Sequence, residues 1–198
     1  MTSAAPKRTR LSPEARREQL LDTAKEMIQQ GGLQRFTMEA LARNAAVSSP
    51  LVYNYFSGRS DLLRALLERE YQSFRREINA QLRSSENFEE IVRVFVAANF
   101  DHHSPGNILP VLLSQPELAD SIQPREKKDN RRTAKFLIDS LAESYPLTKQ
   151  QAELLISVSS GASIAAAGYC ARSKANRNQT MDAVVQYILA GIRSFAKT

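Results

Sequence analysis

Residues 37–63 read TMEALARNAAVSSPLVYNYFSGRSDLL, and the fold turns on this stretch. Thr37 is a good N-cap for a helix running to about Asn44, with Met38, Leu41 and Ala42 on its inward face. Ala45-Ala46-Val47 makes a turn. Ser48 is placed to cap a second helix, and Pro50 falls in its first turn, where a missing N–H costs nothing because that N–H has no intrahelical partner. Ser57-Gly58 ends this helix near Tyr55-Phe56. Two short helices joined by a three- or four-residue turn make a helix-turn-helix, although helical cores also contain such pairs for packing alone.

Working outward, Leu20, Leu21, Ala24, Met27 and Ile28 recur at helical spacing after Pro13, and Gly31-Gly32 stops that helix. Residues 1–12 form a polar, basic arm. Downstream, a longer helix starts around Ser60 and runs through Leu62, Leu63, Leu66, Leu67, Tyr71 and Phe74 to about Leu82. Further helices are predicted at about Phe88 to Phe100, Ile108 to Leu113, Arg125 to Ser144, Lys149 to Arg172 and Asn178 to Ala196. Ser104-Pro105-Gly106, Pro116, Pro124, Pro146 and the polar segment 172–179 are read as the breakers between them. Seven Gly and eight Pro in 198 residues leave too few turn signals for an all-β chain. The expected class is all-α, with a flexible arm (1–12), a three-helix helix-turn-helix domain (13–60) and a second helical domain (61–198).

Composition bounds the function. A hydrophobic share of 42% supports a real core, and a net charge of +6 suggests a polyanionic partner. Residues 1–60 hold nine Lys+Arg against five Asp+Glu, whereas residues 61–198 hold 18 against 16. Most of the excess therefore lies beside the helix-turn-helix. Cys170 stands alone, so no intramolecular disulfide is possible and the cytoplasm is the expected compartment. No apolar stretch follows the basic N-terminus, and the most apolar window, Ile156 to Ala171, contains four serines, so secretion and membrane insertion are not expected. The chain has no Gly-x-Gly-x-x-Gly, Walker A, Gly-x-Ser-x-Gly or zincin motif, which argues against an enzyme. His102 and His103 invite a metal reading, but helical neighbours point about 100° apart and no second ligand cluster exists. No metal or cofactor is expected.

The run Thr37 to Leu63 resembles the DNA-binding signature of the TetR family of bacterial repressors: Thr, a Leu-Ala pair, Val-Ser, a Tyr-x-Tyr-Phe ending, and a basic residue ahead of Leu-Leu. The likeness is strong over about residues 13–70. It departs at Ala46, where Gly is commoner and a positive φ would strain alanine, and at Pro50-Leu51, which replaces a Gly-Thr pair. On this resemblance Thr37 and Ser48 present hydroxyls and free N–H groups to phosphates, beside whatever capping they do. Ser49, Pro50, Leu51, Tyr53 and Asn54 form the exposed, leading side of the recognition helix. Asn54 suits an adenine edge, and Pro50 or Leu51 suits thymine methyls. Val47, Val52 and Phe56 are read as core. Tyr53 and Tyr55 lie two apart and face different sides, so at most one is core; both positions commonly touch DNA in the family. Arg59 matches a basic phosphate-contacting position. Lys7, Arg8 and Arg10 either reach along the duplex or form a solubilising tail.

The resemblance also implies that the C-terminal helices dimerise and bind a small effector. Gly161, Ala165 and Gly168 make a narrow face on one helix, and Val184, Ile188, Ile192 and Phe195 a stripe on the last. Together they suit a seam across a two-fold axis, or packing within one subunit. For the ligand, Phe95, Leu112 and Phe136 offer apolar lining, and Asn99, His102, His103 and Tyr169 offer polar contacts. The expectation is a ligand-responsive repressor that binds a palindromic DNA operator as a homodimer. The alternative is an all-helical protein-interaction module whose helix-turn-helix is architectural.

Overall fold

The computed structural model describes residues 11–173 and 175–196, and among these no strand occurs. Among the described residues nine α-helices follow one another: α1 (Pro13–Gly31), α2 (Met38–Asn44), α3 (Ser49–Tyr55), α4 (Arg59–Ser84), α5 (Phe88–His102), α6 (Leu109–Leu113), α7 (Pro116–Ser144), α8 (Lys149–Ser173) and α9 (Arg177–Phe195). A 3-10 turn, Leu33–Arg35, lies between α1 and α2. The chain divides into two compact units, residues 1–66 and 67–198. The division falls inside α4, beyond residue 60, because Leu62, Leu63 and Leu66 at its start are buried in the first unit.

In the first unit Ser12 caps α1 by accepting the Ala15 N–H at 3.2 Å, and Gly32, at φ +72°, terminates it. Leu20, Leu21, Ala24 and Ile28 are buried as the spacing predicts, whereas Met27 is only half-buried. Met38, Leu41 and Ala42 from α2 and Val52 and Phe56 around α3 complete the core.

In the second unit α5, α7, α8 and α9 pack on one another around Phe88, Val96, Leu141, Val185 and Ile192. Ser163 of α8 is fully buried, and its hydroxyl oxygen accepts a 3.1 Å bond from the Asn99 amide of α5, which also donates to the Phe95 carbonyl. A buried hydroxyl left unpaired would cost about 1–3 kcal/mol, so this pair fixes the α5–α8 register.

Three expectations need correction. The helix predicted from Arg125 begins at Pro116, with Pro116 in its first turn and Pro124 inside it. A proline in a helix interior costs about 3 kcal/mol, but Leu118 and Ile122 in the preceding turns are 1% and 2% exposed, and burying two such side chains contributes at least as much. Ile188 and Ile192 are buried in the core of the chain itself, so the stripe on α9 left for the expected seam is narrower than its periodicity suggested. Finally, α8 is long and apolar enough to cross a bilayer by length and composition despite its serines; here Ala152, Leu155, Ser163 and Ala167 are buried in the helical core.

Ala46 adopts φ +53°, the one non-glycine residue with positive φ among those described. That region costs an L-residue about 1–2 kcal/mol. Ala46→Gly is therefore expected to stabilise the protein by about 1 kcal/mol, after allowing for the greater freedom of glycine in the unfolded chain, as measured by urea unfolding.

Candidate nucleic-acid interface

The helix-turn-helix is built by local chemistry. Thr37 is extended and its hydroxyl accepts the Ala40 N–H at 3.1 Å, starting α2. Ala45 closes α2 by donating to the Leu41 carbonyl at 2.8 Å, and past Ala46 the Val47 N–H returns to the Ala42 carbonyl at 3.0 Å. Ser48, again extended, begins α3. Its hydroxyl makes no capping bond, in contrast to the capping expected of it.

α3 has one face that serves the core and one that does not. Val52 is fully buried and Phe56, just past the helix end, is 2% exposed. On the other side Pro50 and Asn54 are exposed and Tyr53 is 46% exposed. Ser49, Leu51 and Tyr55 are half-buried at the flanks, and Val47, read as core, is half-buried too. Neither tyrosine is core, and Tyr53 is the freer of the two. The Arg17 guanidinium sits 5.2 Å from the Phe56 ring centroid, and the Gln19 amide donates to the Ala45 carbonyl at 3.5 Å, so α1 braces the turn and the far end of the motif.

Arg59 has a role the sequence did not disclose. Its Nε–H donates to the Phe36 carbonyl at 3.3 Å and an Nη2–H to the Leu33 carbonyl at 3.0 Å. The start of α4 is thus tied to the turn ahead of α2, while Asp61 accepts from the Ser57 N–H and hydroxyl at 2.9 and 3.1 Å. Both Arg59 partners lie more than 20 residues away, which no local pattern signals. Lys7, Arg8 and Arg10 lie outside the described residues.

The seven expected ligand residues do not line one cavity. Leu112 is fully buried on α6, whereas Phe136 and Tyr169 are 41% and 57% exposed on α7 and α8. Asn99 is engaged with Ser163, and His103 Nδ1–H donates to the Asn99 carbonyl at 2.8 Å. Phe95 borders an interior cavity of about 20 Å³, room for one small molecule such as water. Burial, and secondarily the neighbouring His103, holds the His102 imidazole below its ordinary range. Among the described residues no group of three His, Cys, Asp or Glu side chains is placed to hold a metal ion.

Residues 20–66 match the family model described as bacterial regulatory proteins, tetR family. Over these residues the chain carries the DNA-binding region of the TetR family. It is 33% identical over 100 residues to the transcriptional activator FasR of Mycolicibacterium smegmatis, covering 49% of this chain and 46% of that protein. It is 31% identical over 85 residues to the transcriptional regulator BetI of Brucella canis, covering 43% of each. The chain thus spans about half the length of the curated relatives it matches. A TetR-like regulator from Rhodococcus sp. RHA1 superposes with a TM-score of 0.65 at 22% identity, covering 93% of this chain and 99% of that one, which establishes a shared fold.

Within this TetR-family head, Arg59→Ala removes two charge-assisted hydrogen bonds, taking the donor from the Phe36 carbonyl and leaving the Leu33 carbonyl with the Phe36 N–H. It is expected to destabilise the protein by about 1.5–3 kcal/mol in chemical unfolding, with Tyr53→Ala nearly neutral. His102, whose folded-state pKa lies below the ordinary imidazole range, favours the folded state when neutral. Its contribution is full above the unfolded-state pKa and is lost as pH falls through the lower folded-state pKa. In unfolding curves taken from pH 7.5 downward, His102→Gln should show a shallower decline than the parent.

Proposed function

We propose that this protein is a cytoplasmic DNA-binding transcriptional regulator, a repressor that holds a palindromic operator as a homodimer and is released by a small-molecule effector. Residues 13–60 supply the DNA-reading elements, and 61–198 the dimer seam and effector site. The observation that carries the reading is the division of α3: Val52 and Phe56 satisfy the core, which leaves Pro50, Tyr53 and Asn54 standing free on a helix with a motif-matched turn before it. A major groove admits such a helix. Asn54 then reads a base edge, Tyr53 and Tyr55 offer hydroxyls to phosphates, Ser49, Pro50 and Leu51 line the leading end, and Thr37 and Ser48 meet the backbone. Arg59 contributes positive charge near the phosphates while its fork remains on Leu33 and Phe36. Lys7, Arg8 and Arg10 extend the contact along the duplex.

The homodimer is supported by a second stripe. Leu154 and Val158 on α8 are 53% and 54% exposed, with Gly161 and Ala165 continuing the same face at helical spacing. Tyr187 on α9 is 66% exposed and Phe195 45%. A side chain added at Gly161 would meet nothing within 4 Å in the single chain, so that position is open to a partner. Two heads must enter successive major grooves about 34–36 Å apart. α4 carries residues of both units, which makes it the element through which an effector would change that spacing. The effector has to favour the non-binding arrangement differentially; equal affinity for both arrangements would shift nothing.

Selection from random duplex DNA should return a two-fold-symmetric site. Tyr53→Ala and Asn54→Ala should each weaken binding to it about 10-fold or more with the helical circular dichroism unchanged. Recovery of no preferred sequence would favour the interaction-module reading. Sedimentation should give a dimer at micromolar concentration, and Val158→Asp should shift it toward monomer.

A further inference from the structure

We infer that the cleft between α4 and α7 binds an amphiphilic anion, with a phosphate or carboxylate head on an apolar body. The cleft lies within the second unit and holds about 660 Å³, the size of a small-molecule site. Its floor is a fixed polar network: the Tyr71 hydroxyl donates to Asp129 Oδ2 at 3.3 Å, Arg75 Nε approaches the same oxygen at 3.6 Å, and Arg75 Nη1–H donates to Thr133 Oγ1 at 3.1 Å. Arg75 and Asp129 are each only 18% exposed, so this carboxylate is occupied in neutralising the floor.

The rim is differently charged. Arg76 of α4 faces Lys128 and Arg132 of α7 across the cleft, and among the described residues none of the three has an ion-pair partner. Arg125, also on the rim, is paired with Glu68. Lys128 and Arg132 are four apart on one helix, where like charges destabilise it. A bound anion relieves that repulsion, which a merely solvated face would not need to gather around a concavity. The pairings Glu68–Arg125, Tyr71–Asp129 and Arg75–Thr133 show the two helices running in the same direction along the cleft. It therefore leads from the cations to Leu82 and Phe136, the latter 41% exposed. An apolar body has somewhere to lie there; a nucleic-acid backbone has nothing to place on it. Binding itself stands on the cleft alone, and its role as the effector event rests on the regulatory reading above.

Calorimetry on the full chain, with octyl phosphate and octanoate kept below their micellar concentrations, tests the assignment. At least one should bind saturably, one per chain, with the stronger of the two identifying the head group. Octanol and octyltrimethylammonium should bind about 10-fold more weakly or not at all, because each lost charge-assisted hydrogen bond is worth about a factor of ten. The double variant Lys128→Ala/Arg132→Ala should lose about 10-fold in affinity. Lys127→Ala/Arg131→Ala, which removes the same charge from the same helix outside this cleft, should not. Phe136→Ser should weaken octyl phosphate and leave inorganic phosphate unchanged. Binding by neither anion, equal loss in the two double variants, or displacement of the anion by a short duplex would overturn the assignment. If the anion binds as described but leaves operator affinity unaltered in a gel shift, the cleft stands and its regulatory role falls.

Discussion

The head of this protein depends on a short helix being held from behind. α3 has seven residues, well under the roughly 12–15 needed for an isolated helix to persist in water. Its persistence rests on Val52 and Phe56, which are buried while their neighbours are not. Each such side chain contributes about 1.5–3 kcal/mol when fully buried, which offsets a large part of the entropy lost in ordering the helix. α2 supplies the wall behind α3 and α1 backs α2, with Leu20, Leu21 and Ala24 of α1 fully buried. The exposed residues of α3 are thereby free of structural duty, and this freedom is what allows a surface to be chemically specific.

Much of this was legible in the sequence because the first unit is governed by local rules. Thr37, Asn44 and Gly31-Gly32 mark helix ends through capping and backbone preference, and α1, α2 and α3 begin and end within about a residue of where those signals place them. The resemblance marked Ala46 as strained if the turn there needs a positive φ, and its φ is +53°. What escaped was set by contacts between distant residues. Nothing near Arg59 signals that its partners are Leu33 and Phe36, and nothing near Pro124 reveals that Leu118 and Ile122 are buried deeply enough to carry the helix through it.

The second unit was harder to read for the same reason. A stripe on α9 cannot say whether it packs within the chain or against another, and Ile188 and Ile192 pack within it. Phe95 and Asn99 lie on α5 and His103 just past its end, yet Asn99 is occupied with Ser163 and the cavity beside Phe95 holds about 20 Å³. The basic run from Arg125 to Arg132 reads in sequence as a solvated helix start. Only when α4 is laid beside it does half of that run become the rim of a cleft.

Arg59 illustrates how one side chain can make two demands that pull apart under substitution. A guanidinium offers several donors in a rigid plane, whereas an ammonium concentrates its charge on one atom at the end of a flexible stem. Lysine at this position would keep the electrostatic field of the head and yet be unable to span the Leu33 and Phe36 carbonyls with the same geometry. Charge and shape at residue 59 are therefore separate properties. An exchange that looks conservative would preserve attraction to a polyanion while loosening the joint between the 3-10 turn and α4, so affinity for any duplex and discrimination among duplexes need not change together.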